Sequence, residues 1–457
     1  MRRKTPSTNA VVEVTSKPAD LGESGWVGIL PSRKPNPALQ QDIESDYCIV
    51  GAGIAGLNAA RRLRQLEPKA SIVLLEAQAI ADGPAGRNSG YMIDLPHALK
   101  TGSYIGEDSQ DRREIRMNRS AIAFATDIAQ SYGFDRETFD ACGKVNAAAS
   151  QGGVKHLRDY ALHLDRLCED YEILDSKAMQ ALCGSQYYHG GLRTPHTVLV
   201  QPARYVREFA DALVSREACQ LFEHSPVTTL SKAGEDWHVQ TESGSITSPR
   251  VILAVNGLIE SFGFYRHRLM HINLYGSMTR ALKADEIDRL GGARRWGFTP
   301  ADPIGSSVRK IDGTGGMRIV IRNRCTYDPA LTLPAARLDD IALDHDRTFA
   351  ARFPDLAGID MAYRWSGRLC LSRNDAWALG EIKPGLFSAC CQNGLGWSRG
   401  TMAGIVIAEK ASSTSQDSLV PDYQDNPMPS KLFPEPFMAW AASSVIRFQE
   451  WRAGKEL

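Results

Sequence analysis

The chain of 457 residues has no C-x-x-C pair among its 9 cysteines, and no apolar run near the ~18 residues needed to span a bilayer. Only Cys390 and Cys391 adjoin, and neighbours in a strand point to opposite faces. These absences argue against a metal site and against a disulfide framework. They fit a reducing cytoplasm, with most cysteines serving as small buried apolar residues. Net charge is lacking too. Basic and acidic residues number 53 each, which favours neither a nucleic acid nor a membrane as partner. Met1-Arg-Arg-Lys4 is basic, but Thr5 to Lys17 is polar where an export signal needs an apolar core. There is no internal repeat and no low-complexity tract. At 43% hydrophobic and 23% charged, the composition is that of a globular protein, long enough for two domains or one large interleaved one.

What is present centres on Asp46-Tyr-Cys-Ile-Val-Gly51-Ala-Gly53-Ile54-Ala55-Gly56. It reads as an apolar strand, a glycine turn and the start of a helix. Gly51 allows the tight turn, Gly53 lets backbone approach a pyrophosphate, and Gly56 brings helix close to strand. The free N–H groups and positive dipole end of the helix then face the phosphates. A second apolar run, Ser71-Ile-Val-Leu-Leu-Glu76-Ala77, ends in an acid placed to accept hydrogen bonds from ribose hydroxyls. The chain is expected to bind a dinucleotide.

Further along, Asp82-Gly-Pro-Ala-Gly86-Arg87-Asn88-Ser89-Gly90-Tyr91 is a glycine-rich loop suited to wrapping a ligand. Apolar stripes predict helices over 110–132 and 154–171, with a third starting near Asp175-Ser176. A helix over 203–216 and short strands to Val251-Ile-Leu-Ala-Val-Asn-Gly257 return to an α/β pattern. In Met317 to Asn323, Arg318, Val320 and Arg322 share one strand face. That face either lines an anionic cleft or is simply solvated. A second glycine turn, Asn393-Gly394-Leu395-Gly396-Trp397, opens a helix over 399–411. The C-terminal part has several prolines and then a helix holding Trp440 and Trp451.

Taken together and in order, Gly51-x-Gly53-x-x-Gly56 with Glu76, Gly86 to Gly90, Trp365-x-Gly367, Pro384-Gly-Leu-Phe387 and Asn393-Gly394-x-Gly396 resemble the FAD-dependent D-amino-acid oxidase family. The likeness is greatest to the branch with γ-glutamylputrescine oxidase. It implies an α/β fold: a discontinuous Rossmann-like FAD domain (26–100, 191–262, 362–412) with an α+β substrate domain (101–190, 263–361) capping the flavin. Residues 1–25 are expected to form a disordered tail, and 413–457 a C-terminal tail and helix. In such enzymes the Gly86 to Gly90 loop lies along the cofactor, the strand containing Val227 touches adenine, and Asn393 to Gly396 approach the flavin pyrimidine. Gly257 also falls among the expected FAD contacts.

The resemblance implies oxidation of a C–H next to an amine nitrogen on a small amine or amino acid, with hydride passing to flavin N5 and the imine then hydrolysed. Dioxygen or another electron acceptor would complete the cycle. No histidine stands where some members link the flavin, and Cys370 is out of register with the cysteine that does so in others, so FAD is expected to be non-covalent. Ser398 replaces the lysine that grips the substrate carboxylate in the sarcosine oxidase branch, and Arg318 and Arg322 occupy the positions of its oxygen-activating strand. Tyr91, His97, Trp397, Arg318 and Arg322 are the residues expected near the reacting carbon. Two other readings stay open: a 2-hydroxy-acid dehydrogenase on the same fold, and an FAD-binding electron-transfer or accessory subunit.

Overall fold

Four consecutive buried residues, Tyr47–Val50, form a central strand, and four more, Ile72–Leu75, pair with it in parallel. Neither run alternates, because both sheet faces are covered. In this computed structural model, which describes residues 11–96, 104–412 and 426–457, the sheet has six strands. Their order is Gln220–Phe222, Ile72–Leu75, Tyr47–Val50, Arg250–Leu253, Leu386–Cys390 and Ala378–Lys383, and only the last pairs antiparallel. The strands come from distant parts of the chain, so this Rossmann-like unit is discontinuous.

One face of the sheet carries the helices Ile54–Leu66, Pro202–Arg216 and Ser398–Ala411. The first and third pack closely because of small residues. A Cβ on Gly404 would lie 2.3 Å from the Ala55 carbonyl oxygen, and one on Gly400 would lie 3.3 Å from Ile54. Two helix N-termini are thereby brought side by side at one end of the sheet.

The opposite face carries a five-stranded sheet ordered Val12–Glu13, Thr229–Ala233, Asp236–Gln240, Ser245–Ser248 and Asp42–Glu44. Its first strand corrects the expectation of a disordered tail over 1–25. Val12 pairs with Leu230 and Glu13 with Thr229, so the described part of that stretch is held in the sheet. The pairing partner is too far along the chain for local pattern to reveal it.

The capping unit is an eight-stranded sheet, ordered Met361–Ser372, Leu269–Thr279, Arg318–Tyr327, Ser307–Ile311, Trp296–Pro300, Lys144–Ala148, Gly190–Thr194 and Glu172–Asp175. The boundaries expected at 191 and 362 fall inside two of these strands, Gly190–Thr194 and Met361–Ser372, each paired along its length within this sheet. Of four further helices, Asp108–Tyr132 packs on Ser398–Ala411, while Gln151–Leu167, Ser176–Cys183 and Ala336–Arg352 pack on the sheet. Asp175 caps Ser176–Cys183, accepting from the Ala178 N–H at 2.8 Å. The C-terminal helix, Phe437–Ala453, packs on Arg318–Tyr327. After it, the buried Glu456 carboxylate accepts from the Ala149 N–H at 2.9 Å.

Candidate active site

A long cavity runs from Glu76 and Val227, past the paired helix N-termini, to Arg322 and Thr299 beneath the eight-stranded sheet. The three fingerprint glycines play separable parts along it. Gly51 has φ +101°, and a Cβ there would lie 2.6 Å from the Ala254 carbonyl oxygen. A Cβ on Gly56 would sit 1.9 Å from the Gly51 carbonyl oxygen, so this glycine serves helix packing. A Cβ on Gly53 would meet nothing nearer than Ala85 at 3.6 Å. Packing therefore does not require Gly53 to be glycine; its bare backbone faces the cavity.

Gly53 is also the N-cap of Ile54–Leu66 and supplies no side-chain acceptor, so the first-turn N–H groups are left for an anion. Gly396 leaves a second opening, in the turn before Ser398–Ala411, whose N-cap is Trp397: a Cβ there would meet nothing within 4 Å. A diphosphate beside one helix end and an electron-rich ring beside the other fit these two openings.

Glu76 lines the cavity and accepts from the Ala52 and Gln78 N–H groups, each at 3.1 Å. Burial raises its carboxyl above the ordinary value, and those N–H bonds work against the rise. The carboxylate thus braces the turn from the cavity wall.

The loop from Gly83 to Gly90 is held by groups outside itself. Three indole N–H groups donate to it: Trp26 to the Asn88 carbonyl at 2.8 Å, Trp365 to the Arg87 carbonyl at 2.9 Å, and Trp397 to Asn88 Oδ1 at 2.6 Å. Buried Arg309 donates to the carbonyls of Ser89 at 3.0 Å and Gly90 at 3.1 Å. Asn88 itself donates to Ala85 O at 2.8 Å and accepts from the Gly90 N–H at 2.8 Å.

Most of the residues singled out from the sequence meet at this cavity. Gly51, Gly53, Ile54, Ala55, Glu76, Ala77, Arg87, Asn88, Ser89, Tyr91, Val227, Gly257, Gly394, Leu395, Gly396, Trp397 and Arg322 line it. Val227 does so from the loop after Gln220–Phe222, not from a strand.

Four others, among them Gly56 in its helix packing, do not line it. Gly86 is buried against the Ala81 carbonyl oxygen, 2.0 Å from where its Cβ would be, and serves the loop's packing. Asn393 is a brace: its Oδ1 accepts from the Ser372 N–H at 2.7 Å and its Nδ2 donates to the Asp375 carbonyl at 3.0 Å. Arg318 stands outside the cavity, donating to the carbonyls of Gly315 at 2.9 Å and Thr279 at 2.7 Å. It shares a strand face with Arg322, but four residues at about 3.3 Å each carry it about 13 Å away. His97 lies outside the described residues.

At the inner end Arg322 is half-buried. Its Nε donates to Ser89 Oγ at 3.3 Å and an Nη to Ser307 Oγ at 3.2 Å. Burial pulls its guanidinium below the ordinary value. Among the described residues no carboxylate forms an ion pair with it. Tyr91 donates to the Phe298 and Val308 carbonyls at 3.0 and 3.2 Å, and burial pushes its phenol well above the ordinary value, so it acts as wall rather than acid. Behind Thr299, which lines the cavity, the Lys144 ammonium donates to Thr299 Oγ1 at 3.1 Å and to Asn146 Oδ1; burial lowers it to about 8. Cys370, also on the cavity wall, is a free thiol donating to Asn256 Oδ1 at 3.0 Å.

Tyr275, Thr299, Ser307 and Arg309 carry no sequence signal for a site, since each is one polar or aromatic position in an ordinary strand. The lining residues Val14, Lys17 and Asp20 had a faint one in the β-branched run Val11-Val12-x-Val14.

Comparison with known proteins agrees with this geometry. The family model for FAD dependent oxidoreductases (DAO) matches residues 46–410. The chain is 24% identical over 414 residues to a probable oxidoreductase OrdL of Rhizobium meliloti (strain 1021), covering 88% of this chain and 90% of that one. It is 23% identical over 380 residues to the gamma-glutamylputrescine oxidoreductase of Escherichia coli (strain K12), covering 82% and 85%. Glycine oxidase from Geobacillus kaustophilus has the same fold, with a TM-score of 0.68 at 15% identity over 85% of this chain and 100% of that one. Gly53 and Gly396 leave open space along the cavity that Glu76 also lines. The chain belongs to the DAO family of FAD-dependent oxidoreductases.

Proposed function

We propose that the protein oxidises the carbon next to an amine nitrogen in a small amine or amino acid whose carboxylate lies away from that nitrogen, as in a γ-glutamyl amine. The observation that carries this reading is Arg322. An arginine stays charged at any physiological pH, and a charge held in a poorly hydrated cavity against two neutral hydroxyls lacks compensation. A substrate carboxylate supplies it, bidentate to the guanidinium. Since Arg318 is elsewhere, one such anion is enough. The name of the Escherichia coli relative, a gamma-glutamylputrescine oxidoreductase, fits this class.

Bound FAD supplies the hydride acceptor. The chain's own part is positioning and exclusion of water. Arg322 holds the carboxylate end, Tyr91 and Trp397 wall the reacting end, and the N-terminus of Ser398–Ala411 offers N–H groups where negative charge develops. The substrate amine must be neutral for its lone pair to take part. That lone pair would form the C=N bond as hydride leaves for the bound cofactor, and water would hydrolyse the imine. The free state of all 9 cysteines suits a reducing cytoplasm.

The test is an anaerobic screen of amines, amino acids and 2-hydroxy acids, following loss of the oxidised flavin absorbance. Rapid bleaching by an amine with a remote carboxylate is expected. Bleaching by hydroxy acids alone would make the protein a hydroxy-acid dehydrogenase, and no bleaching by any of them would favour an electron-transfer subunit.

A further inference from the structure

The helix Phe437–Ala453 turns large aromatic side chains to solvent. Phe437, Trp440, Phe448 and Trp451 are 70%, 75%, 59% and 77% exposed. Their spacing of three, eight and three residues puts all four on one face. That face cannot roll inward. Glu450, on the other side, accepts from Arg324 at 2.9 Å and from the Cys325 N–H at 3.3 Å. Met438 and Ala453 are buried beneath the helix, and Glu456 just past it is bonded into the capping unit.

Charge on this helix is one-sided. Arg447 and Arg452 border the aromatic stripe and are exposed, while its single acid, Glu450, is turned in and paired. Arg452 has buried Asp302 at 3.7 Å; Arg447 forms no ion pair among the described residues. The chain's overall neutrality therefore hides a local patch that is aromatic and basic. Two copies meeting face to face would bring together two stripes that carry only basic exposed charge, with no acid on either helix free to answer it. An anionic bilayer surface answers both features: aromatic rings settle at the headgroup level and arginines meet lipid phosphates.

We infer that this helix is a monotopic membrane-surface element that docks the enzyme on anionic phospholipid. It lies on the membrane and does not cross it; no helix among the described residues is long and apolar enough to span one. Since it packs on Arg318–Tyr327, the strand bearing Arg322, docking brings the substrate end of the cavity near the lipid surface.

The test is sedimentation of the purified, FAD-loaded full chain with vesicles of phosphatidylcholine alone or mixed with phosphatidylglycerol. Binding to the mixed vesicles that weakens with added salt is expected, since screening acts on the lipid charge. Trp440→Ser with Trp451→Ser should lower it about tenfold while flavin absorbance is unchanged, because both side chains are exposed. Arg447→Glu should weaken binding to the mixed vesicles only. The inference is overturned if the protein stays in the supernatant with both vesicle types, or if the double variant still sediments. It is also overturned if equilibrium ultracentrifugation shows a dimer that the double variant dissolves, in which case the face pairs two copies.

Discussion

The indole N–H of Trp397 donates to Oδ1 of Asn88 at 2.6 Å, tying the glycine turn before one helix to the loop that follows the dinucleotide strand. The two segments are far apart in the chain and meet only at the cavity. Asn88→Ala removes this bond together with the Asn88 bonds to Ala85 and Gly90. FAD affinity should fall about tenfold, equivalent to about 1.4 kcal/mol, with circular dichroism unchanged. Titration of the apoprotein with FAD checks it; an unchanged dissociation constant would mean the loop is ordered without Asn88.

Glu76→Ala should weaken FAD binding by about 2–4 kcal/mol, the worth of two charge-assisted hydrogen bonds to ribose. The same carboxylate also accepts from the Ala52 and Gln78 N–H groups, so a small drop in the melting temperature of the apoprotein should accompany it. Flavin titration and thermal denaturation separate the two effects.

FAD should leave the polypeptide on acid or heat treatment. Cys370, the cavity-wall thiol, donates to Asn256 and is shifted toward its neutral form by Cys391 and by burial, so it is a poor nucleophile. Flavin fluorescence that stays with a denatured peptide containing Cys370 would contradict this.

Lys144 makes a pH prediction. Burial lowers its ammonium from 10.5 to about 8, so between those values the unfolded chain holds a proton that the folded chain has lost. Stability contributed at this site therefore rises with pH across that window, and below it the buried charge is a cost. Lys144→Met should be more stable than the parent at neutral pH, with the difference shrinking by about pH 9.5. Urea denaturation at both pH values measures it. A variant less stable at neutral pH, with the same pH slope as the parent, would show that the ammonium's bonds to Asn146 and Thr299 outweigh its desolvation.

The glycine-turn end of the cavity was legible because its constraints are local. Gly51, Gly53 and Gly56 answer to backbone geometry within one turn, and Glu76 to the end of the next strand. The Arg322 end was not. Alternation told which face Arg318 and Arg322 share, but not how far the cavity reaches along a ten-residue strand, and it stops short of Arg318. Asn393 and Gly86 sit in the right motifs yet brace the walls. The strand Val12–Glu13 and the loop clamp by Trp26, Trp365 and Arg309 depend on partners far away in sequence, which no local window contains.

Arg322→Met offers the sharpest test of the substrate proposal. The anaerobic rate of flavin reduction is measured against concentration for two amines of matched size, one with a remote carboxylate and one with its amide. Loss of the guanidinium should raise KM at least about tenfold for the acid, about 1.4 kcal/mol or more, and leave the amide within about twofold. Equal losses for acid and amide would show that Arg322 supports the cavity wall and holds no substrate carboxylate.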